Sequence, residues 1–458
     1  MLAPAYRREL LPFLRTALPI IGAQLAFMGM GVVDTILAGR LGGQALAAVA
    51  VGSHVWGPIF IFFLGVLMAV SPIVAHRIGA RADPAATGAM LRGQLLLAVV
   101  LGAGWMAILW TLGSYVIAQT GLKPETAIIA RDYLRAESFG CIAFAAVFVL
   151  RYGVEGTGRT AAVLWISVLG FVVNAVFDVV FMFGWGPIPA MGAVGCGWAT
   201  VAAVMVMLAS WVLLYARSRP LAELRLFRWQ LQGAPWAHWL DTLRLGLPIG
   251  CILIAEAGLF AAATLFMAGF GDAVVAAHQV AISFAALAFM VPLGFGFAAT
   301  VRVGQAMGAG MPEDAVLRGR MAIALGFSFS LLSATMMALF PQVIAGWYTR
   351  DAAVVEVAAH LLAYAAAFQL FDCLQATANG ALRGLKDTRG PMLITVTAYW
   401  LVGMPLAWTA AYRLEAGPDG LWWGLIAGLA VAAIGLVTRF QRAARSLKTT
   451  SDGARRAQ

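Results

Sequence analysis

The sequence predicts an all-α integral membrane protein with 12 transmembrane helices, arranged as two pseudo-twofold-related six-helix bundles. Three observations carry this. Of 458 residues, 62% are hydrophobic and only 11% charged, whereas a soluble domain needs about 25% charged residues to face water. Apolar stretches of roughly 20 residues, each able to cross about 30 Å of hydrocarbon as a helix, recur along the whole length. The second half of the chain also repeats the first.

A window of roughly 19 residues places the spans near 13–38, 46–74, 92–117, 131–151, 160–183, 190–215, 241–268, 275–301, 318–340, 354–380, 390–412 and 420–438. Each should be helical, because hydrocarbon offers no partner to an unpaired backbone N–H or C=O. Arg7 and Arg8 ahead of the first span resemble the start of a secretory signal. The run from Phe13 to Ala38 is too long for one and contains Asp34, so a retained span is expected. The domain pattern that follows is an N-terminal lobe over 1–215, a cytoplasmic linker rich in Arg, Trp and Pro over 216–240, and a C-terminal lobe over 241–440. A basic, disordered tail is expected over 441–458.

A net charge of +10 would suit a nucleic-acid partner in a soluble protein. Here the basic residues fall in short loops between spans. With the N-terminus inside, 25 of the 31 Lys and Arg lie on the inner side, and only Arg40, Lys123, Arg131, Arg135, Arg350 and Arg413 lie outside. Both termini are therefore expected in the cytoplasm, and no nucleic acid is expected as a partner. The cysteines (Cys141, Cys196, Cys251 and Cys373) all sit inside spans without C-x-x-C spacing, and the five histidines are scattered. Neither a disulfide framework nor a zinc site is expected.

The repeat has a constant offset. Arg15–Pro19 reads R-T-A-L-P and Arg244–Pro248 reads R-L-G-L-P, 229 positions later. At that offset Gly42 meets Gly271, Ala47-Ala48 meets Ala276-Ala277, and Leu64-Gly65 meets Leu293-Gly294. Gly156 and Thr160 match Gly384 and Thr388 at 228. Each half has an even number of spans, so the copies insert in the same sense and form parallel repeats. Two such bundles around a central cavity are a recurrent transporter design.

An ionisable residue inside a span is costly and marks function by default. Asp34 in span 1, Asp178 in span 5, Glu256 in span 7 and Asp372 in span 10 qualify, and no Lys or Arg lies mid-span to pair with them. Asp34 and Asp178 each follow an inner-side arginine (Arg15, Arg159) by 19 residues, or about 28 Å of helix. Thr200 precedes Arg217 by 17 residues, about 26 Å. Asn174 shares the helix face of Asp178, one turn away. Asp34, Asn174, Asp178 and Thr200 thus form an oxygen-rich set at one level of the outer half, suited to Na⁺ or H⁺. Glu256 and Asp372 lie 12 and 11 residues from Arg244 and Arg383. They are near the midplane, where they suit a proton carrier or an anchor for a cationic substrate.

These residues resemble the multidrug and toxic compound extrusion (MATE) transporters, in particular the bacterial NorM-like branch. The strings that carry the resemblance are V-V-D34-T-I-L-A-G, E155-G-T-G-R-T, N174-A-V-F-D178, Glu256, and F-D372 followed by A-L-R383-G-L-K-D-T. The resemblance implies efflux of amphipathic, cationic organic compounds by alternating access, driven by Na⁺ or H⁺ without ATP or another cofactor. It assigns Asp34, Asn174, Asp178 and Thr200 to an N-lobe cation or proton site, and Glu256 and Asp372 to the C-lobe acids. An aromatic hydroxyl found in some relatives one turn before the span 10 acid is here Phe368. A monomer in the bacterial cytoplasmic membrane, exchanging small molecules across the bilayer, is expected. The alternatives are a lipid-linked oligosaccharide flippase, disfavoured by the acidic buried set, and an integral membrane transferase, for which no acidic metal motif is present. A non-enzymatic carrier fits best.

Overall fold

The computed structural model of the chain describes residues 4–227 and 235–456. Among the described residues twelve long helical elements follow in order: α1 Pro4–Arg40, α2 Gly43–Gly79, α3 Pro84–Ala118, α4 Pro124–Gly156, α5 Ala161–Phe183, α6 Ala193–Arg217, α7 Trp239–Phe270, α8 Asp272–Gly308, α9 Pro312–Leu339, α10 Ala352–Gly384, α11 Arg389–Arg413 and α12 Gly417–Arg456, with a short helix Pro341–Tyr348 between α9 and α10. Eleven are long and apolar enough to span a bilayer as they stand. The twelfth, α4, is two segments, Pro124–Ser138 and Cys141–Gly156, bent by 44°. Every span expected from hydropathy coincides with one of these helices.

Proline chemistry explains where the repeats differ. In α2 the helix breaks between Leu67 and Val70. Pro72 clashes with the carbonyl four residues back and donates no hydrogen bond to it; the Met68 carbonyl is taken instead by the Ser71 N–H at 3.2 Å. The offset places Val301 opposite Pro72, and α8 runs unbroken from Asp272 to Gly308.

One sequence expectation falls partly outside the described residues and another changes. Of the linker expected over 216–240, residues 228–234 lie outside the described residues; Arg219–Ala222 and Pro235–His238 form single helical turns on either side. The tail expected to be disordered over 441–458 instead continues α12 to Arg456. Its four Ala and four Arg among 18 residues are good helix formers, although Ser, Thr, Gly and Asp are mixed among them. Phe440 and Ala444 are also buried, so the helix has a packed base from which to propagate.

By packing, the chain forms two compact units. One comprises Gly22–Gly250. The other comprises Cys251 onward together with the chain up to Ile21. The division cuts α1 and α7 at equivalent positions, 229 residues apart, just after Pro19 and Pro248. In the first unit α7 begins against α2 and α3: the Trp239 indole donates to the Gly93 carbonyl at 2.7 Å, and Gly250 fits against Phe62. In the second unit the start of α1 packs on α8. The Phe13 and Phe295 rings lie 6.2 Å apart, and Glu9 pairs with Arg302 and Arg318.

Two close approaches hold the units internally. Within α4 and fully buried, Arg151 Nε donates to Glu155 Oε1 at 2.8 Å, and its guanidinium also reaches the Gln24 side chain on α1. In the second unit α8 and α10 touch backbone to backbone. A Cβ on Gly380 would collide with the Gly296 carbonyl, and the Thr300 hydroxyl lies 2.9 Å from the Gly380 carbonyl. Small residues permit this kind of approach where no hydrophobic force draws helices together in lipid.

Gly380→Ala should destabilise the protein by about 1–3 kcal/mol through overpacking, read as a lower melting temperature in detergent. Glu155→Gln leaves a buried guanidinium without its carboxylate and should cost roughly 3–5 kcal/mol. Unchanged melting of either variant would contradict the packing described.

Candidate functional site

The site in the first unit is assembled where α1, α5 and α6 meet. α5 carries Asn174 and Asp178 one turn apart, both fully buried. The connection from α5 to α6 is tight. Trp185 and Ile188 exchange backbone hydrogen bonds at 3.1 Å, and the Met191 N–H donates to the Phe181 carbonyl at 2.8 Å. Gly195 then lies so close to α5 that a Cβ would sit 2.6 Å from the Phe181 carbonyl. That approach seats Cys196 beside Asp178. On the other side of α6, Gly197 lets the Tyr133 carbonyl of α4 come within 2.8 Å of where its Cβ would be.

The result is a cluster that the sequence brings together only through the fold. One donor atom each from Asp34, Asp178 and Cys196 lies within 4.8 Å of the others, and the Asn174 side chain faces Asp34. Among the described residues, one Asp34 carboxylate oxygen, both of Asp178 and both amide atoms of Asn174 are buried without a hydrogen bond. Each unsatisfied group of this kind costs about 1–3 kcal/mol, more when charged. Two facing carboxylates in this setting call for a cation or a proton to neutralise them. Carboxylate and amide oxygens are the ligands that hard cations take, so the residues present fit Na⁺ or H⁺.

Thr200 has a lesser position. Its hydroxyl donates to the Cys196 carbonyl one turn back, at 3.2 Å, which is the usual fate of a threonine in a helix. Two residues join the cluster that sequence reasoning missed. Cys196, set aside with the other cysteines, contributes its thiol. Glu137, buried on α4 with Tyr133 and Asp34 in its surroundings, has one oxygen unpaired. Its charge inside the span expected near 131–151 is the signal that could have found it. Cys196 carries no such signal.

The second unit holds a separate pair. Glu256 on α7 and Asp372 on α10 interact electrostatically, and Gln375 and Arg383 on α10 also act on Glu256. Arg383 sits in the last turn of α10, so the positive charge that acts on Glu256 comes from the end of that helix. The Gln375 amide donates to the Tyr399 hydroxyl at 2.9 Å. Tyr399 lies in a π-helical stretch of α11, Thr397–Gly403, the wider turn often found at functional positions. Next to it, the Trp400 indole donates to the Ala255 carbonyl at 3.2 Å, fixing α11 beside Glu256. Phe368, one turn before Asp372, packs against Phe260 and Trp422, and the Tyr364 hydroxyl is spent on Asp419 at 3.1 Å. The aromatic hydroxyl of this site therefore comes from Tyr399.

A duplicated chain of membrane-spanning helices, with a different buried acidic site in each unit, has the design of a carrier. The MatE family model matches it twice, over residues 19–180 and 248–409, with starts 229 residues apart. The chain belongs to the MATE family. It is 38% identical over 444 residues to the multidrug resistance protein PmpM of Pseudomonas aeruginosa, covering 96% of this chain and 92% of that one. It is 36% identical to the multidrug resistance protein MdtK of Edwardsiella ictaluri, covering 97% and 98%. The crystal structure of the eukaryotic MATE transporter AtDTX14 superposes with a TM-score of 0.87 at 18% identity, covering 97% of this chain and 99% of that one. That of a MATE P26A mutant does so with a TM-score of 0.88 at 20% identity, covering 96% of each.

Asp178→Asn removes one of two facing buried charges and should raise the melting temperature by about 2–4 °C, the equivalent of roughly 1 kcal/mol in a unit of this size. The same variant should lose any stabilisation that added Na⁺ gives the unsubstituted protein. Destabilisation by Asp178→Asn would show that its carboxylate is satisfied in the fold.

Proposed function

We propose that this protein is a secondary active multidrug exporter. It moves amphipathic, cationic organic compounds out of a bacterial cell in exchange for Na⁺ or H⁺. The observation that carries this reading is the buried, unpaired set of Asp34, Asn174 and Asp178 in a chain whose relatives bear the name of multidrug resistance proteins. A carboxylate cluster without a basic partner binds a cation or a proton from one side of the membrane and releases it to the other. That cycle supplies energy without a nucleotide. Entry of the cation neutralises the cluster, lowers the cost of burying it and favours the packing of α1 against α5 and α6. Its release restores the charge and the opposite preference. Glu256 and Asp372 supply the negative field that attracts a cationic substrate in the second unit.

The protein works as a monomer in the cytoplasmic membrane, with both termini inside, as the bias of Lys and Arg towards that face supports. Thr200 contributes a hydroxyl oxygen to the coupling site, and the coupling ion is the one inorganic partner required.

Ethidium efflux from proteoliposomes, with Na⁺ and pH gradients imposed separately, tests the reading. Transport should follow one of the two gradients. Asp34→Asn and Asp178→Asn should each lower the rate at least tenfold at normal expression. Full efflux by a well-expressed Asp34→Asn variant, or indifference to both gradients, would sink the idea.

A further inference from the structure

Outside both acidic sites, the second unit has a groove whose chemistry is that of a lipid. A cavity of about 520 Å³ opens between α9 and α12 over α10. Arg320, Gln441 and Arg445 form one end of it, while Phe327, Val437 and Leu374 form its apolar walls. No acidic residue lines it, and neither Arg320 nor Arg445 is paired with an acid among the described residues. A neighbouring cavity on the far side of α12 makes the contrast clear. There Arg439 is already held by Asp387 through two hydrogen bonds, at 2.6 and 3.0 Å.

The apolar track continues from the arginines toward the middle of the span. On α9, Arg320, Phe327 and Leu331 follow one another at helical spacing, and Phe327 and Leu331 are exposed by 41% and 47%. On α12, Arg445, Gln441, Val437 and Ile434 do the same, and Ile434 is exposed by 63%. Two guanidinium groups and an amide thus sit at the membrane-face end of a strip of exposed hydrocarbon that runs toward the middle of the spans. A guanidinium matches phosphate oxygens in a bidentate manner, and the strip beyond it matches an acyl chain.

We propose that this groove binds one anionic phospholipid, its phosphate between Arg320 and Arg445 and an acyl chain along Phe327, Val437 and Ile434. Basic pockets between spans at a membrane face are a known way of holding such head groups. Diffuse attraction of a basic protein to an anionic surface would not require the charges and the apolar track to converge. Here they do. The inference needs neither the coupling ion nor the drug substrates proposed above, since it concerns other residues and another ligand.

Native mass spectrometry of the purified full chain in a neutral detergent, titrated with dioleoyl-phosphatidylglycerol or dioleoyl-phosphatidylcholine, tests it. One phosphatidylglycerol should be retained under conditions that strip phosphatidylcholine. Arg320→Gln and Arg445→Gln should each weaken retention about fivefold, and the double variant roughly twenty-five-fold. The control double variant Arg217→Gln/Arg219→Gln removes the same charge from exposed positions in the other unit and should bind as the unsubstituted protein does. Equal retention of the two lipids, unchanged binding by the Arg320/Arg445 double variant, or equal losses in both double variants would overturn the proposal. So would displacement of the lipid by inorganic phosphate alone, which would mark a plain anion site. Should the double variant fail to purify as a monodisperse species, the single variants decide the matter.

Discussion

Hydrocarbon cannot hydrogen-bond, and the rest of this structure depends on how the chain meets that constraint. Helices satisfy their own backbone, and most side-chain hydroxyls in the spans follow suit by donating back to their own helix. Thr35 bonds to the Gly31 carbonyl, Ser210 to Val206, Thr264 to Phe260 and Ser328 to Ala324, all four residues back. Several buried hydroxyls and indoles in the spans lack a partner too, but Asn174 and Asp178 leave both of their polar side-chain atoms unpaired side by side on α5. Their side chains are too short or too charged to be absorbed by the local backbone, and they face other helices. What sets the site apart is that unpaired carboxylate and amide atoms gather there.

The duplication then shows how one scaffold can carry two chemistries. The position opposite Asp34 at the repeat offset is Ala263, buried in the apolar core of the second unit. Conversely, the positions opposite Glu256 and Asp372 in the first unit are Phe27, at an offset of 229, and Phe144, at 228. Both belong to an aromatic cluster: Phe27 stacks on Phe60 at 5.8 Å, and Phe144 meets Phe60 and Trp56 at 5.8 and 5.7 Å. Each unit fills with hydrocarbon the place where the other keeps charge. A polar site in both units at both levels would multiply desolvation costs, and the exchange limits each unit to one.

Much of this was legible in the sequence, for reasons that are local. Span positions follow from composition over windows of one helix length, and the repeat from a constant offset. Depth within a span follows from counting residues to the nearest basic anchor, which is how Asp34, Asp178 and Thr200 fall at one level without knowledge of their neighbours. What escaped was non-local or context-dependent. Cys196 joins the acids only because Gly195 lets α6 approach α5 closely, and Tyr399 serves the second unit through Gln375, 24 residues away in sequence. The helical tail escaped because its basic, polar composition is equally at home in coil; buried Phe440 and Ala444 decide the matter.

The division of α1 and α7 between the units bears on how a buried charge can act at a distance. Asp34 lies on the part of α1 that belongs to the first unit, while Phe13 and Glu9, earlier on the same helix, are fixed to α8 and α9 in the second. Pro19 removes one hydrogen bond from the ladder just before the division, so the helix is continuous there yet weaker. Asp34 thus sits on one part of an element whose start is held in the other unit. The offset gives α7 a proline at the equivalent place, Pro248, and the same division between units just beyond it. Yet Ala263 stands where α1 has Asp34, and the acid of α7, Glu256, lies seven residues nearer that proline. The repeats therefore share the proline but keep their acids at different distances from it, 15 residues on α1 and eight on α7.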